Sequence, residues 1–249
     1  MAGSVTSAGV EAERNEARVN LAAIYRLLEH FGWSDIIYNH ATMRVPGRPT
    51  HFLIKRHDLL YTEVTASNLV EVDMNDDLDE RSGVNRPGFV LHSGVLSARP
   101  EIACSIHVHT DIGVALAGLR HGLRQLSLHS ARFYNRIGYH DFTGVNDSPE
   151  EQRKTIASLG QNRAMILRNH GLLTVGHSAR EAFVLLRELI AAGRTQFLME
   201  STGAELCEIP SDVCEVAAET SAVHDRGRGN ADWPAYLRIL DRIDPGYRL

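Results

Sequence analysis

The sequence predicts a single α/β domain, on three observations. Segments with apolar residues at helical spacing alternate with short apolar runs bounded by turn residues. No Pro/Gly/Ser-rich linker interrupts that alternation. The chain, at 249 residues, is long enough to bury a substantial core. The nucleotide-binding members of the class lose support, because no G-x-G-x-x-G follows a strand and no Walker A loop is present. A G-x-S-x-G elbow is absent as well.

The elements follow in order. Residues 1–14 read as a disordered lead-in to a domain spanning 15–209, with 210–249 an extension packing on the domain or on a neighbouring subunit. From Asn15 to Phe31, Val19, Ala22, Ala23, Leu27 and Leu28 follow helical spacing, and Gly32 stops the helix. Ala41 to Val45 reads as a strand, Pro46-Gly47 as a turn, and Phe52-Leu53-Ile54 as its hairpin partner. Thr65 to Leu69 resembles a helix start, Val70 to Asp73 a third strand, and Asn75-Asp76-Asp77 a turn. Arg81 to Gly88 reads as a loop, then Val90 to Ala98 as a helix closed by Arg99-Pro100. Cys104 to Thr110 is an apolar strand carrying His107 and His109, and Thr110 or Asp111 caps the next helix. Leu126-Ser127-Leu128 and Ile137 to His140 read as short strands. Ser148-Pro149 opens a helix that ends at Gly160. Ala164–Leu167 and Leu172–Val175 are strands flanking Asn169-His170-Gly171, and Ser178 to Ser201 is a long helix. Beyond Pro210 the chain reads as polar and irregular until a helix at Trp233 to Asp241.

Composition is that of an ordinary soluble protein, 43% hydrophobic and 23% charged with a net charge of −5. That balance, with no Lys/Arg block, argues against a nucleic-acid partner. No apolar run is long enough to span a membrane, and Met1 to Gly9 lack the pattern of a signal peptide. Cys104, Cys207 and Cys214 form no CxxC, which suits free buried thiols in a reducing compartment and a cytoplasmic protein.

The chemistry concentrates at His107 and His109. Two apart in a strand, their imidazoles point the same way and offer two ligands to a divalent metal. His170, where a later strand breaks into Asn-His-Gly, is a third candidate, and a three-nitrogen site leaves coordination positions open for a substrate. The chain holds 13 histidines, so on pattern alone the pair reads equally as satisfied histidines near a strand end.

Longer motifs break that tie. His92-Ser93-Gly94-Val95-Leu96-Ser97-Ala98-Arg99-Pro100-Glu101, running into Ile106-His107-Val108-His109-Thr110, resembles the class II aldolase/adducin family. So do Ile166 to Gly176 with the following Glu181-Ala182-Phe183, and the earlier Tyr38-Asn39-His40-Ala41-Thr42-Met43-Arg44. The resemblance covers roughly Asn15 to Thr202. It implies an αβα fold around a mixed, mostly antiparallel sheet, and a homotetramer. It also implies zinc held by His107, His109 and His170, while imidazole ligands suit iron, manganese or nickel as alternatives. That ion acts as a Lewis acid toward a carbonyl and stabilises an enediolate.

Two departures set this chain apart from the sugar-phosphate aldolases it resembles. Their catalytic Glu, four residues before the position of His92, is Gly88 here. Their phosphate cradle is replaced by Lys55-Arg56-His57 and Asn85-Arg86-Pro87. Both features place the chain near the adducin-like branch. His92 is then the candidate proton carrier, with Tyr134 as a second catalytic candidate. Arg44, Asn39 and His129 are candidate substrate contacts, Lys55 and Arg56 are further cations for a carboxylate, and Tyr247 could reach a neighbouring site.

The leading expectation is a metal-dependent lyase on a small oxo or hydroxy acid. Decarboxylation is favoured over retro-aldol cleavage, because Gly88 removes the usual base. A non-catalytic adducin-like interaction module and an Fe(II)-dependent oxygenase are the alternatives.

Overall fold

Seven strands form one sheet in the computed structural model, which describes residues 7–78, 80–144, 147–225 and 231–249. In chain order the elements are α1 (Ser7–His30), β1 (His40–Val45), β2 (Arg48–Ile54), β3 (Val70–Asp73), α2 (Arg86–Ala98), β4 (Cys104–Val108), α3 (Asp111–Gly118) and α4 (Leu128–Ala131). They continue with β5 (Ile137–His140), α5 (Pro149–Leu159), β6 (Ala164–Leu167), β7 (Gly171–Gly176), α6 (Ala179–Glu200), α7 (Ser211–Asp225) and α8 (Asp232–Ile243). The spatial order is β3-β2-β1-β4-β7-β6-β5. Every neighbouring pair is antiparallel except β5 with β6, so the mixed, mostly antiparallel sheet is found as expected.

Strand alternation divides the core into two layers. Ile106 and Val108 of β4 and Leu172 of β7 pack with Leu21, Leu28 and Phe183 of α1 and α6. Leu173 and Val175 of β7 and Met165 and Leu167 of β6 pack on the other face with Phe89 and Leu96 of α2 and Leu159 of α5. Helices therefore cover both faces. His107 shares the α2 side of the sheet, since it alternates with Ile106 and Val108. The β1–β4 register places His40 directly beside His107.

Several local readings are corrected. The first helix starts at Ser7, so residues 7–14 belong to it and residues 1–6 lie outside the described part. This opening stretch carries good helix formers rather than apolar spacing, and Arg14 ties it down by donating to the Pro46 carbonyl at 3.0 Å. Thr65 to Leu69 is a turn, held by Asn68 accepting from the Thr65 N–H and by Arg18 donating to the Ala66 and Leu69 carbonyls. The second long helix begins at Arg86, because Asn85 caps it by accepting from the Gly88 N–H and Pro87 sits in its first turn.

Ser127 is likewise a cap, opening the short α4 where a strand was expected, since its hydroxyl takes up the Ser130 N–H. Beyond Pro210 the chain is the regular helix α7, not irregular. Its buried positions are Cys214, Ala218 and Asp225, while Val213, Val216 and Val223 face outward, so hydrophobicity does not trace its buried side. Tyr247 is buried on its own chain, with its carbonyl accepting from Ala66 N–H. Cys104 and Cys214 are buried and Cys207 is exposed, all free. Among the described residues no helix is long and apolar enough to cross a membrane.

Candidate metal centre

Three imidazoles converge at the end of β4. His107 is the penultimate residue of that strand, His109 lies just past it, and His170 stands in the tight β6–β7 turn. The turn closes because Asn169 adopts a left-handed conformation, φ 55°, which asparagine tolerates, and its N–H reaches the Ala117 carbonyl. Gly171 is required next. A Cβ there would collide with the Val108 carbonyl and crowd the His109 ring. Asn39, also left-handed at φ 58°, accepts from the His109 N–H at 2.9 Å. Asp35 lies 3.4 Å from His109 Nδ1 and orients that ring from outside.

The donor set fits a divalent ion. His107 Nδ1–H donates to the Leu172 carbonyl at 2.9 Å, which leaves Nε2 with a bare lone pair. That Nε2 is 2.8 Å from His109 Nε2, which is 3.1 Å from His170 Nε2. The potential ligand atoms all lie within 4.8 Å of one another. Three facing imidazole nitrogens are what a cation among them would require. Burial, with the surrounding histidines adding to it, holds His107 well below its ordinary pKa. Burial and the neighbouring His109 push His170 down to about 4. Neutral imidazoles are the ligating form.

Beside this cluster stands a second histidine chain. His40 Nδ1 is 2.8 Å from His92 Nε2, and His92 Nδ1 is 2.9 Å from the Ser105 hydroxyl. His40 lines the cavity, whereas His92 is fully buried behind it. A Cβ at Gly88 would lie 2.6 Å from His40 Cδ2, so the His40 ring fills the space beside the missing side chain. His92, expected as the proton carrier, is thus one ring removed from the pocket.

Burial drives the His92 imidazole down to about 3. The unfolded His92 takes up its proton near 6.5, the folded one far lower, so between those values the unfolded chain binds more protons. Stability of the metal-free protein therefore falls as pH falls. His92 alone contributes a loss of about 2 kcal/mol between pH 7 and pH 5. Urea midpoints measured across that range check this, and a midpoint that does not move would contradict it.

The site opens into a cavity of about 330 Å³ between α2 and α5. Asn39, His40, His107, His109 and His170 line one part of it. The remaining sequence candidates lie elsewhere within the protomer. Arg44 spends its guanidinium on the carbonyls of Pro49, Leu96, Ile102 and Arg99. His129 pairs with Glu188 at 2.7 Å, and Tyr134 follows α4 beyond the pocket lining. Lys55 is buried, its ammonium donating to the carbonyls of Arg56, His57 and Leu59, and Arg56 pairs with Asp58 at the surface. Asn39 reaches the pocket, but its amide also donates to the Trp33 carbonyl, so it serves the backbone around His109.

Sequence reasoning missed the role of His40, although Asn39-His40 lay inside a motif it had noted. It also missed His140 and Glu151, which meet at 2.7 Å on the cavity wall. No local signal joins those two, because one ends a strand and the other lies in the first turn of the next helix.

Comparison with known proteins agrees with the fold. The family described as the Class II Aldolase and Adducin N-terminal domain matches residues 19–197. A Pseudomonas aeruginosa protein assigned by name to aldolase class 2 is 38% identical over 97% of this chain and 95% of its own length. Rat alpha-adducin is 44% identical over 93% of this chain, which spans 33% of the adducin. Among solved structures, an aldolase II superfamily protein from Pseudomonas syringae superposes with a TM-score of 0.89 at 39% identity, covering 95% of this chain and 96% of its own. L-fuculose 1-phosphate aldolase from Glaciozyma antarctica PI12 superposes with a TM-score of 0.84 at 27% identity, covering 98% and 96%. The matched family model, these relatives and the mixed sheet with its histidine cluster agree: the chain belongs to the class II aldolase and adducin family.

Proposed function

We propose that this protein is a divalent-metal-dependent carbon–carbon lyase acting on a small oxo or hydroxy acid, with decarboxylation favoured over retro-aldol cleavage. The observation that carries the reading is the convergence of His107, His109 and His170 on a cavity that His40 also lines. The three histidines would hold the ion, zinc first, with iron, manganese or nickel also suited to imidazole. When bound, such an ion polarises a carbonyl and offsets the negative charge that grows as a C–C bond breaks.

The protein's own part is proton handling. Ser105, His92 and His40 form one hydrogen-bonded chain, and with the Ser105 hydroxyl donating inward it would leave the Nε2–H of His40 for the cavity that this ring lines. The chain keeps both rings neutral, in line with the lowering of both by burial. In decarboxylation the bond to CO₂ breaks first, and the electron pair left on carbon collects a proton that comes from solvent and that His40 would deliver at the cavity wall. No carboxylate at position 88 is needed for that order of events. A homotetramer in the cytoplasm belongs to the same proposal.

A second reading rests on the 44% identity to rat alpha-adducin, namely a non-catalytic interaction module. Elemental analysis of protein purified without added metal separates the two. The lyase reading expects bound divalent metal, together with CO₂ or aldehyde release from a panel of 2-oxo and 2-hydroxy acids that stops on chelation. Activity that survives complete metal removal would sink it, and protein free of metal would favour the module.

A further inference from the structure

The cavity has a second polar end that the metal-binding histidines do not use. His140 closes β5 and is paired in register with Leu167 of β6. Its Nε2 meets Glu151 Oε1 at 2.7 Å, and its Nδ1 meets the Ser158 hydroxyl at 3.0 Å. Both His140 and Glu151 are buried, yet both line the cavity, with Thr155 beside them. The sheet order sets β5 three strands from β4, roughly 14 Å at an interstrand spacing of about 4.8 Å, with His170 lying between them in the β6–β7 turn. Most of the remaining wall is apolar, with Pro87, Val90, Leu91, Phe142, Ile156 and Leu167, and Asn85 and Gln152 are polar members of it.

Resting on the reading of His107, His109 and His170 as the metal centre, we infer that the pocket selects an acid whose chelating end continues into an apolar, ring-sized body and terminates in a hydroxyl donated to Glu151. The chemistry of each part argues for its occupant. The mostly apolar wall offers a sugar chain few hydrogen-bond partners, and desolvating its hydroxyls there would cost binding. It would gain from burying a hydrocarbon or aromatic face instead. Glu151 is a buried acceptor held ionised, because Thr143 and His140 both donate to its carboxylate. A carboxylate already fixed in place binds a substrate hydroxyl strongly. It repels a terminal phosphate, and Asp141 on the same rim adds to that repulsion. Arg168, the cation on this rim, already donates to the Leu119 carbonyl and stacks on Tyr139.

Isothermal titration of the metal-loaded protein tests this with glycolate, phenyllactate, p-hydroxyphenyllactate and phosphoglycolate. Phenyllactate is expected to bind more tightly than glycolate through its ring. The p-hydroxyl is expected to add about tenfold, the worth of one hydrogen bond to a charged acceptor. Phosphoglycolate is expected to bind more weakly than glycolate. Glu151→Gln should erase the gain from the p-hydroxyl while leaving the ratio of phenyllactate to glycolate unchanged. If His140 and Glu151 only clamp α5 to β5, the variant shifts thermal stability and leaves every affinity ratio as it was, which overturns the inference. Tighter binding of phosphoglycolate than of glycolate overturns it as well. Glycolate titrated into metal-loaded and chelator-treated protein reports on the metal centre separately. Binding only with metal, without discrimination among tails, defeats this inference alone. No binding to either form removes both.

Discussion

His107→Ala is expected to lose divalent-metal affinity by more than roughly 100-fold, with turnover falling to background. His107 is the most deeply placed of the three ligands, and its free Nε2 exists because Leu172 fixes the ring through Nδ1. Removing it leaves His109 and His170, and a divalent ion held by two imidazoles depends mainly on water. The fold should survive. Ile106 and Val108 keep their places in the other face of the sheet, and the β4 ladder to β1 and β7 is made by backbone groups. Metal affinity by competition with a chromophoric chelator, with circular dichroism to verify folding, reads both halves of the expectation. Metal content equal to that of the wild type in a variant with His107, His109 and His170 all replaced by alanine would refute the assignment of the centre.

His40→Ala is expected to lower kcat by about 10² to 10⁴ while metal content stays unchanged. The ring lines the cavity, its Nδ1 is committed to His92, and it fills the space beside Gly88. His92→Ala should cost less, because His92 acts through His40 as a positioning residue. The double variant should be no slower than His40→Ala alone, since two groups in one proton chain are not additive. Gly88→Ala should reproduce part of the loss by pushing the His40 ring aside. Steady-state kinetics on the metal-loaded variants checks the series. Equal and additive losses from His40 and His92 would separate the two rings and end the relay.

The longer motifs, through the resemblance they carry, were enough for the family, the mixed sheet and the three convergent histidines. The placement of the histidines is encoded locally. His107 and His109 share a strand face by the period of two, and Asn169-His170-Gly171 carries a left-handed asparagine and the one residue that lets Val108 approach. Local chemistry also misled where one signal served two structures. Ser127 and Asn85 looked like strand and loop residues, and both proved to be helix caps. In α7 the residues turned inward are small or charged, so hydrophobic periodicity said nothing. What only the tertiary structure decided is which side chains meet. The β1–β4 register sets His40 against His107, and the His40 ring fills the space beside Gly88 at the cavity wall, with His92 buried behind it. Packing of α5 on the sheet brings Glu151 onto His140. Other tertiary contacts commit Arg44 to four backbone carbonyls and His129 to Glu188 of α6, away from the cavity. A residue's type states what it can bind. Whether it does so depends on which donors and acceptors the fold has already supplied to it, and that is a property of strand register and layer packing rather than of neighbours in sequence.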